Sequence, residues 1–167
     1  PIALLIGILI AVAGSQYGNT YNGLPVFGLV VAIAFFTQIV AFIPAFISQT
    51  EKYYDITGTM TYVLTTLIAM FLASSLDTRS LLLGLLVLIW TLRLGIFLFK
   101  RINKAGKDIR FDNLKPSFIR FLNAWVLQGL WVTFTAGATL TAISSNNLVA
   151  FGSIGLIGLI IWITGFT

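Results

Sequence analysis

Residues 24–47 read LPVFGLVVAIAFFTQIVAFIPAFI, a stretch without one charged side chain. A helix needs about 20 apolar residues to cross the hydrocarbon core of a bilayer, and Leu24 to Ile47 meets that length. The apolar residues fill consecutive rather than alternate positions. A backbone in lipid must satisfy its own hydrogen bonds, so the stretch reads as a membrane-crossing helix and not as a barrel strand. Working outward, the same criterion marks a first, clipped span from Pro1 to about Gly14 and a third from about Ile56 to Leu76. Ser80 to Phe99 gives a fourth, Phe118 to Ile143 a fifth and Leu148 to Thr167 a sixth. The expectation is an all-α, polytopic transmembrane helical bundle of about six spans, with residues 1–167 forming a single transmembrane domain. The chain opens on Pro1 with no initiator Met and stops directly after an apolar run, so a portion of a longer protein is expected.

Composition supports lipid as the solvent. Hydrophobic residues make up 58% of the 167 and charged residues 9%, with mean hydropathy +1.00; a soluble domain carries about 25% charged residues. Cysteine and histidine are both absent. That excludes disulfides, thiolate chemistry and histidine metal or acid–base sites, and leaves carboxylates, Tyr, Lys, Arg and amides as chemical tools.

Charge distribution sets the expected orientation. Lys100, Arg101, Lys104, Lys107, Arg110 and Lys115 crowd one segment, with Arg120 just beyond, whereas residues 15–23 and 144–147 carry no charge. Basic loops stay on the cytoplasmic side. The loop at 100–116 and both chain ends are therefore expected in the cytosol, or on the equivalent stromal or matrix side, with the Glu51-Lys52 loop beside them. The net charge of +5 reads mostly as a topology signal, and nucleic acid is not an expected partner. The sixth span places Gly152, Gly155 and Gly158 at three-residue intervals, as in helices that pack closely on a neighbour; packing within the chain is the expectation.

Ionisable groups inside a span are costly and ask for a reason. Arg93 is the clearest case: it is either a structural cation paired with an inward carboxylate such as Asp55, or a contact for an anion or carbonyl in a cavity. Asp55, Thr59, Tyr62 and Thr66 recur at i, i+4, i+7 and i+11, one continuous polar face of a helix. Such a face avoids lipid and must line the bundle interior or a wet cavity. Three amides, Gln38, Asn123 and Gln128, lie in or near apolar spans, where Gln and Asn commonly hydrogen-bond between helices. The basic segment around Gly106 could touch anionic lipid or hold phosphates, although no Walker or dinucleotide-binding glycine fingerprint occurs.

Several of these segments together resemble the steroid 5α-reductase-like membrane proteins, in their bacterial and organellar branch. The residues that carry the resemblance are Glu51-Lys52-Tyr53-Tyr54-Asp55-Ile56-Thr57-Gly58, Trp90-Thr91-Leu92-Arg93-Leu94-Gly95, Gly106-Lys107-Asp108-Ile109-Arg110-Phe111-Asp112 and Phe121-Leu122-Asn123-Ala124-Trp125-Val126-Leu127-Gln128-Gly129. The resemblance implies a seven-helix fold in which NADPH delivers hydride to an enone carbon while a carboxylic acid and a Tyr polarise the carbonyl. It implies the substrate half of an NADPH-dependent oxidoreductase acting on the CH–CH group of a steroid- or isoprenoid-like substrate. Asp55 or Glu51 would then be the proton donor, and Tyr62 or Tyr54 would replace a hydroxyl lost where the family's Tyr is Phe97. Arg93, Lys107, Arg110, Asn123 and Gln128 would lie beside the cofactor, most of whose site would lie beyond Thr167. Phe97 leaves a second expectation open: a non-catalytic accessory subunit of a larger membrane complex. The partners expected are the bilayer, a hydrophobic small molecule or lipid, and other membrane subunits.

Overall fold

The computed structural model describes residues 2–167. The elements are α1 (Ile2–Gly14), β1 (Thr20–Tyr21), β2 (Leu24–Pro25), α2 (Val26–Ile47), α3 (Tyr54–Leu72), α4 (Thr78–Ala105), a 3₁₀ turn (Ile109–Phe111), α5 (Phe118–Ile143) and α6 (Ser153–Phe166). The all-α bundle is as expected, and α2 to α5 are each long and apolar enough to cross a membrane. α1 and α6, next to the two ends of the described chain, are apolar and 13 and 14 residues long there.

Boundaries shift where capping chemistry competes with hydropathy. α3 ends at Leu72 rather than Leu76, and α4 starts where the Asp77 carboxylate caps it by accepting the Ser80 N–H at 2.7 Å. α4 then continues through Lys100, Arg101 and Lys104 to Gly106, whose φ of 78° terminates it. The first part of the expected basic loop is thus helix, projecting beyond the apolar stretch. The uncharged segment before α2 is a small antiparallel hairpin rather than a plain loop. Asn22 and Gly23 turn it with φ of 49° and 81°, the pattern of a two-residue Asn-Gly turn.

The core lies where α2, α3 and α5 meet, around Phe27, Val30, Tyr62, Val126, Val132 and Leu140. A second apolar cluster closes one end, where Phe42, Phe111, Phe121 and Trp125 pack edge to face. α4 joins mainly through a narrow line of small residues: Ser80, Gly84, Thr91 and Gly95 are buried, with Ile102 near its end, while Leu81, Leu85, Ile89, Leu92, Ile96 and Phe97 are exposed. Apolar side chains gain nothing by leaving lipid for a neighbouring helix, so close approach at small residues is what holds such helices together. At Gly95 the Thr59 side chain occupies the space a Cβ would need, and at Gly84 the Met70 sulfur does.

α6 buries no residue. Gly152 and Gly158 have open space around them and Gly155 meets only Phe151, so the expected intramolecular packing of this glycine series is overturned among the described residues. The bundle ends sort as the charge pattern implied: the Glu51 loop touches the α4–α5 loop, and the hairpin touches the α5–α6 loop through Asn19 N–H donating to the Ser144 carbonyl at 2.7 Å.

Candidate functional site

Two polar regions stand out. At the basic end, Glu51 is 3% exposed. Its carboxylate accepts the Asp108 N–H at 2.8 Å and the Lys115 ammonium at 2.7 Å, tying the α2–α3 loop to the α4–α5 loop. Burial pushes the Glu51 carboxyl up, but the Lys115 ammonium and the Asp108 N–H more than reverse this, so it lies below its ordinary value. Lys115 is raised, chiefly by the same bond to Glu51. Nearby, Asp55 takes Arg101 at 2.8 Å, Asp112 takes Lys107 at 2.9 Å, and Asp108 holds Arg110 through both carboxylate oxygens. The Arg110 hydrogen bond is the main reason the Asp108 carboxyl is depressed. Tyr54 donates to the Ala124 carbonyl at 3.0 Å, with its ring against Phe111 and Trp125.

The second region is a cleft of about 690 Å³ between α3, α4, α5 and α6. Its polar groups are few: Tyr62, Arg93, Thr135 and Thr139, set among apolar walls that include Trp90 and Phe97. The Tyr62 ring stands edge-on to Trp90, 5.2 Å between centroids, and its hydroxyl meets the Thr135 hydroxyl. Thr135 also donates to the Trp131 carbonyl at 2.8 Å. With that proton committed, Tyr62 is the donor of the pair, and its own oxygen keeps its lone pairs free. The Arg93 guanidinium lies 4.5 Å from the centroid of the Phe166 ring, which is itself stacked on Trp162.

The residues singled out from the sequence divide between these regions. The polar face of α3 turns inward as expected, with Thr59, Tyr62 and Thr66 buried. The proposed pairing of Arg93 with Asp55 is overturned: Arg101, two turns nearer the end of α4, reaches Asp55 instead, and Arg93 has no acidic neighbour among the described residues. Tyr62 and Arg93 both line the cleft, while Glu51, Tyr54, Asp55, Lys107 and Arg110 lie at the basic end. Gln38 bonds between helices as expected, donating to Thr61 at 2.8 Å. Gln128 lies across Gly58, where its Nε2 is 2.6 Å from the place of a Cβ, and its buried Oε1 has no partner. Asn123 is half-buried on the first turns of α5. Sequence reasoning missed Thr135 and Thr139. Two hydroxyls one helical turn apart in an apolar span were the available signal.

The five residues expected beside a dinucleotide are spread over α4, the α4–α5 loop and α5. Lys107 and Arg110 each have a carboxylate already, and of the five only Arg93 lines the cleft.

Fold and cleft together define an integral membrane helical bundle with a largely apolar chamber between its helices. Residues 41–167 match DUF1295, described as a protein of unknown function, and the chain belongs to that family. No curated protein and no solved structure matches it.

Proposed function

We propose that this chain forms the substrate-holding part of an NADPH-dependent membrane reductase acting on a lipid-soluble enone, of the steroid 5α-reductase-like kind to which its family is tied. The observation that carries the proposal is one phenol and one unneutralised guanidinium, Tyr62 and Arg93, lining the same cleft, whose other polar side chains are chiefly the Thr135 and Thr139 hydroxyls. Reducing the double bond of an enone builds negative charge on the carbonyl oxygen, and a positioned donor and a nearby cation both stabilise it. Tyr62 supplies the donor: a substrate carbonyl oxygen replaces Thr135 as acceptor of its proton. Arg93 supplies the positive charge, on a wall it shares with the aromatic rings of Trp90, Phe97 and Trp162. NADPH, when bound, supplies the hydride; the remaining contacts for it would come from outside residues 1–167. Glu51 and Asp55 are ion-paired with Lys115 and Arg101 at the basic end and do not line the cleft, which leaves the donor role to Tyr62. The basic end is taken to face the cytosol or its stromal or matrix equivalent, on the strength of its excess of Lys and Arg.

The experiment is NADPH oxidation by the full-length protein in liposomes supplied with a steroid-type enone. Tyr62→Phe is expected to lower kcat by about 10²–10⁴-fold with little change in NADPH affinity, as befits a donor that acts in the transition state. Absence of NADPH binding and of enone turnover in the full-length protein overturns the proposal. The reading then favoured is a non-catalytic accessory subunit, for which Phe97, standing where the resembling enzymes carry a Tyr, already speaks.

A further inference from the structure

The ten cations and five carboxylates are not spread evenly. Arg79 and Asp77 form a pair at the hairpin end, and Arg93 lies mid-span. The basic end holds the other eight cations and four carboxylates, and each of those carboxylates is engaged: Glu51 by Lys115, Asp55 by Arg101, Asp108 by Arg110, Asp112 by Lys107 and Lys115. Lys52, Lys100, Lys104 and Arg120 remain exposed with no carboxylate among the described residues. Two of the four share a face with the cleft. Arg93, Phe97, Lys100 and Lys104 recur on α4 at i, i+4, i+7 and i+11, so they form one line along the helix, about 16 Å from first to last at 1.5 Å per residue. All four are exposed, Phe97 at 61%. Phe97 and Arg93 also line the cleft. The line thus runs from two free ammonium groups at the polar end, across an uncovered aromatic ring, into an apolar chamber.

We propose that this face of α4 binds an anionic phospholipid from the surrounding leaflet, its phosphate held by Lys100 and Lys104 and one acyl chain lying over Phe97 into the cleft beside Trp162. Charge complementarity selects this occupant. A neutral lipid gains nothing from two adjacent ammonium groups, and a water-soluble phosphate gains nothing from the apolar run below them. The two lysines can swing toward a headgroup without giving up a partner, and the acyl chain fills a space that α6 covers loosely. This inference does not rest on the reductase reading, since it requires neither Tyr62 nor a hydride donor.

The test uses the full-length protein in nanodiscs of phosphatidylcholine containing a minor fraction of either phosphatidylglycerol or phosphatidylcholine with brominated acyl chains. Bromine quenches nearby tryptophan. Brominated phosphatidylglycerol is expected to quench more strongly than brominated phosphatidylcholine at equal fraction, and Trp162→Phe is expected to remove most of that difference. Lys100→Gln with Lys104→Gln should weaken the preference for phosphatidylglycerol by on the order of 10- to 30-fold. Lys52→Gln with Arg120→Gln, equal in charge removed but off this face, should weaken it far less. Equal quenching by the two lipids overturns the proposal. So does an equal loss in both double variants, which marks a diffuse surface field. Displacement of the phosphatidylglycerol by NADPH in a manner that needs Lys100 and Lys104 assigns those lysines to a nucleotide and also overturns it.

Discussion

Glu51 shows how a residue with the profile of a catalytic acid can be occupied structurally. It is a nearly fully buried carboxylate, yet one oxygen accepts the Asp108 N–H and the other the Lys115 ammonium. Glu51→Gln keeps the shape and loses the charge, and is expected to cost about 1.5–3 kcal/mol, the range for hydrogen bonds to charged groups, read as a lower unfolding temperature in detergent. The pH dependence has a definite sign. The Glu51 carboxyl lies below its ordinary value of 4.5, so its contribution is complete above that pH and is lost as pH falls through the folded value. Lys115 lies above its ordinary 10.5, so its contribution is complete below 10.5 and is lost as pH rises through the folded value. Stability from this pair should therefore be flat across the neutral range and fall at both extremes, and Glu51→Gln should remove the acid limb it contributes. Gln38 behaves differently despite being fully buried. It makes one bond to Thr61 and leaves Oε1 unpaired, so Gln38→Leu, which relieves an orphaned acceptor, is expected to change stability by less than about 1 kcal/mol.

At the scale of elements, α4 depends on its start and on its small-residue seam. Asp77 accepts Ser80 N–H at the helix start and Val149 N–H at 2.9 Å from the loop before α6, and these bonds, the Ser80 ones foremost, hold its carboxyl down to about 2. Its stabilisation is present above the ordinary value of 3.8 and is lost as pH falls toward 2. Asp77→Ala should cost about 1–2 kcal/mol, the upper part of the range for losing a cap, and should loosen α6, which has little else to hold it. Limited proteolysis between residues 146 and 152 would detect that loosening. At the seam, a methyl group at Gly95 runs into Thr59, a β-branched side chain whose hydroxyl already bonds back to the Asp55 carbonyl at 3.1 Å. At Gly58 it meets only the mobile end of Gln128. Gly95→Ala is thus expected to cost about 1–3 kcal/mol by overpacking and Gly58→Ala clearly less; equal losses in thermal unfolding would contradict the seam argument.

For the whole molecule, the prediction concerns the two ends of the bundle. The Glu51 loop and the α4–α5 loop share one end, and the hairpin and the α5–α6 loop share the other. A cysteine at Asn103 and a cysteine at Asn146, both exposed positions, should react with a membrane-impermeant thiol reagent from opposite sides of sealed vesicles. The Asn103 site is expected on the cytosolic side. Labelling of both from one side would contradict the four-span arrangement. Asn19, though in an uncharged segment, is a poor probe, because it is 3% exposed and bonded to Ser74 and Ser144.

Much of this molecule can be read from residue order alone. The solvent, the helical class and the four long spans follow from uninterrupted apolar runs, because a backbone in lipid has few ways to satisfy its hydrogen bonds. The inward polar face at Thr59, Tyr62 and Thr66 follows from a period of 3.6, which is a local property of one helix. The ends of α3 and α4 do not follow, since they turn on whether Asp77 finds two N–H groups, one of them 72 residues away. Which cation meets which carboxylate is likewise undecided by spacing: Arg93 and Arg101 are both on α4, and only the offset between α3 and α4, set where Gly95 meets Thr59, brings Arg101 to Asp55. The cleft itself belongs wholly to the tertiary structure. Its walls come from four helices, and no stretch of sequence records that α6 lies against them without being buried by them.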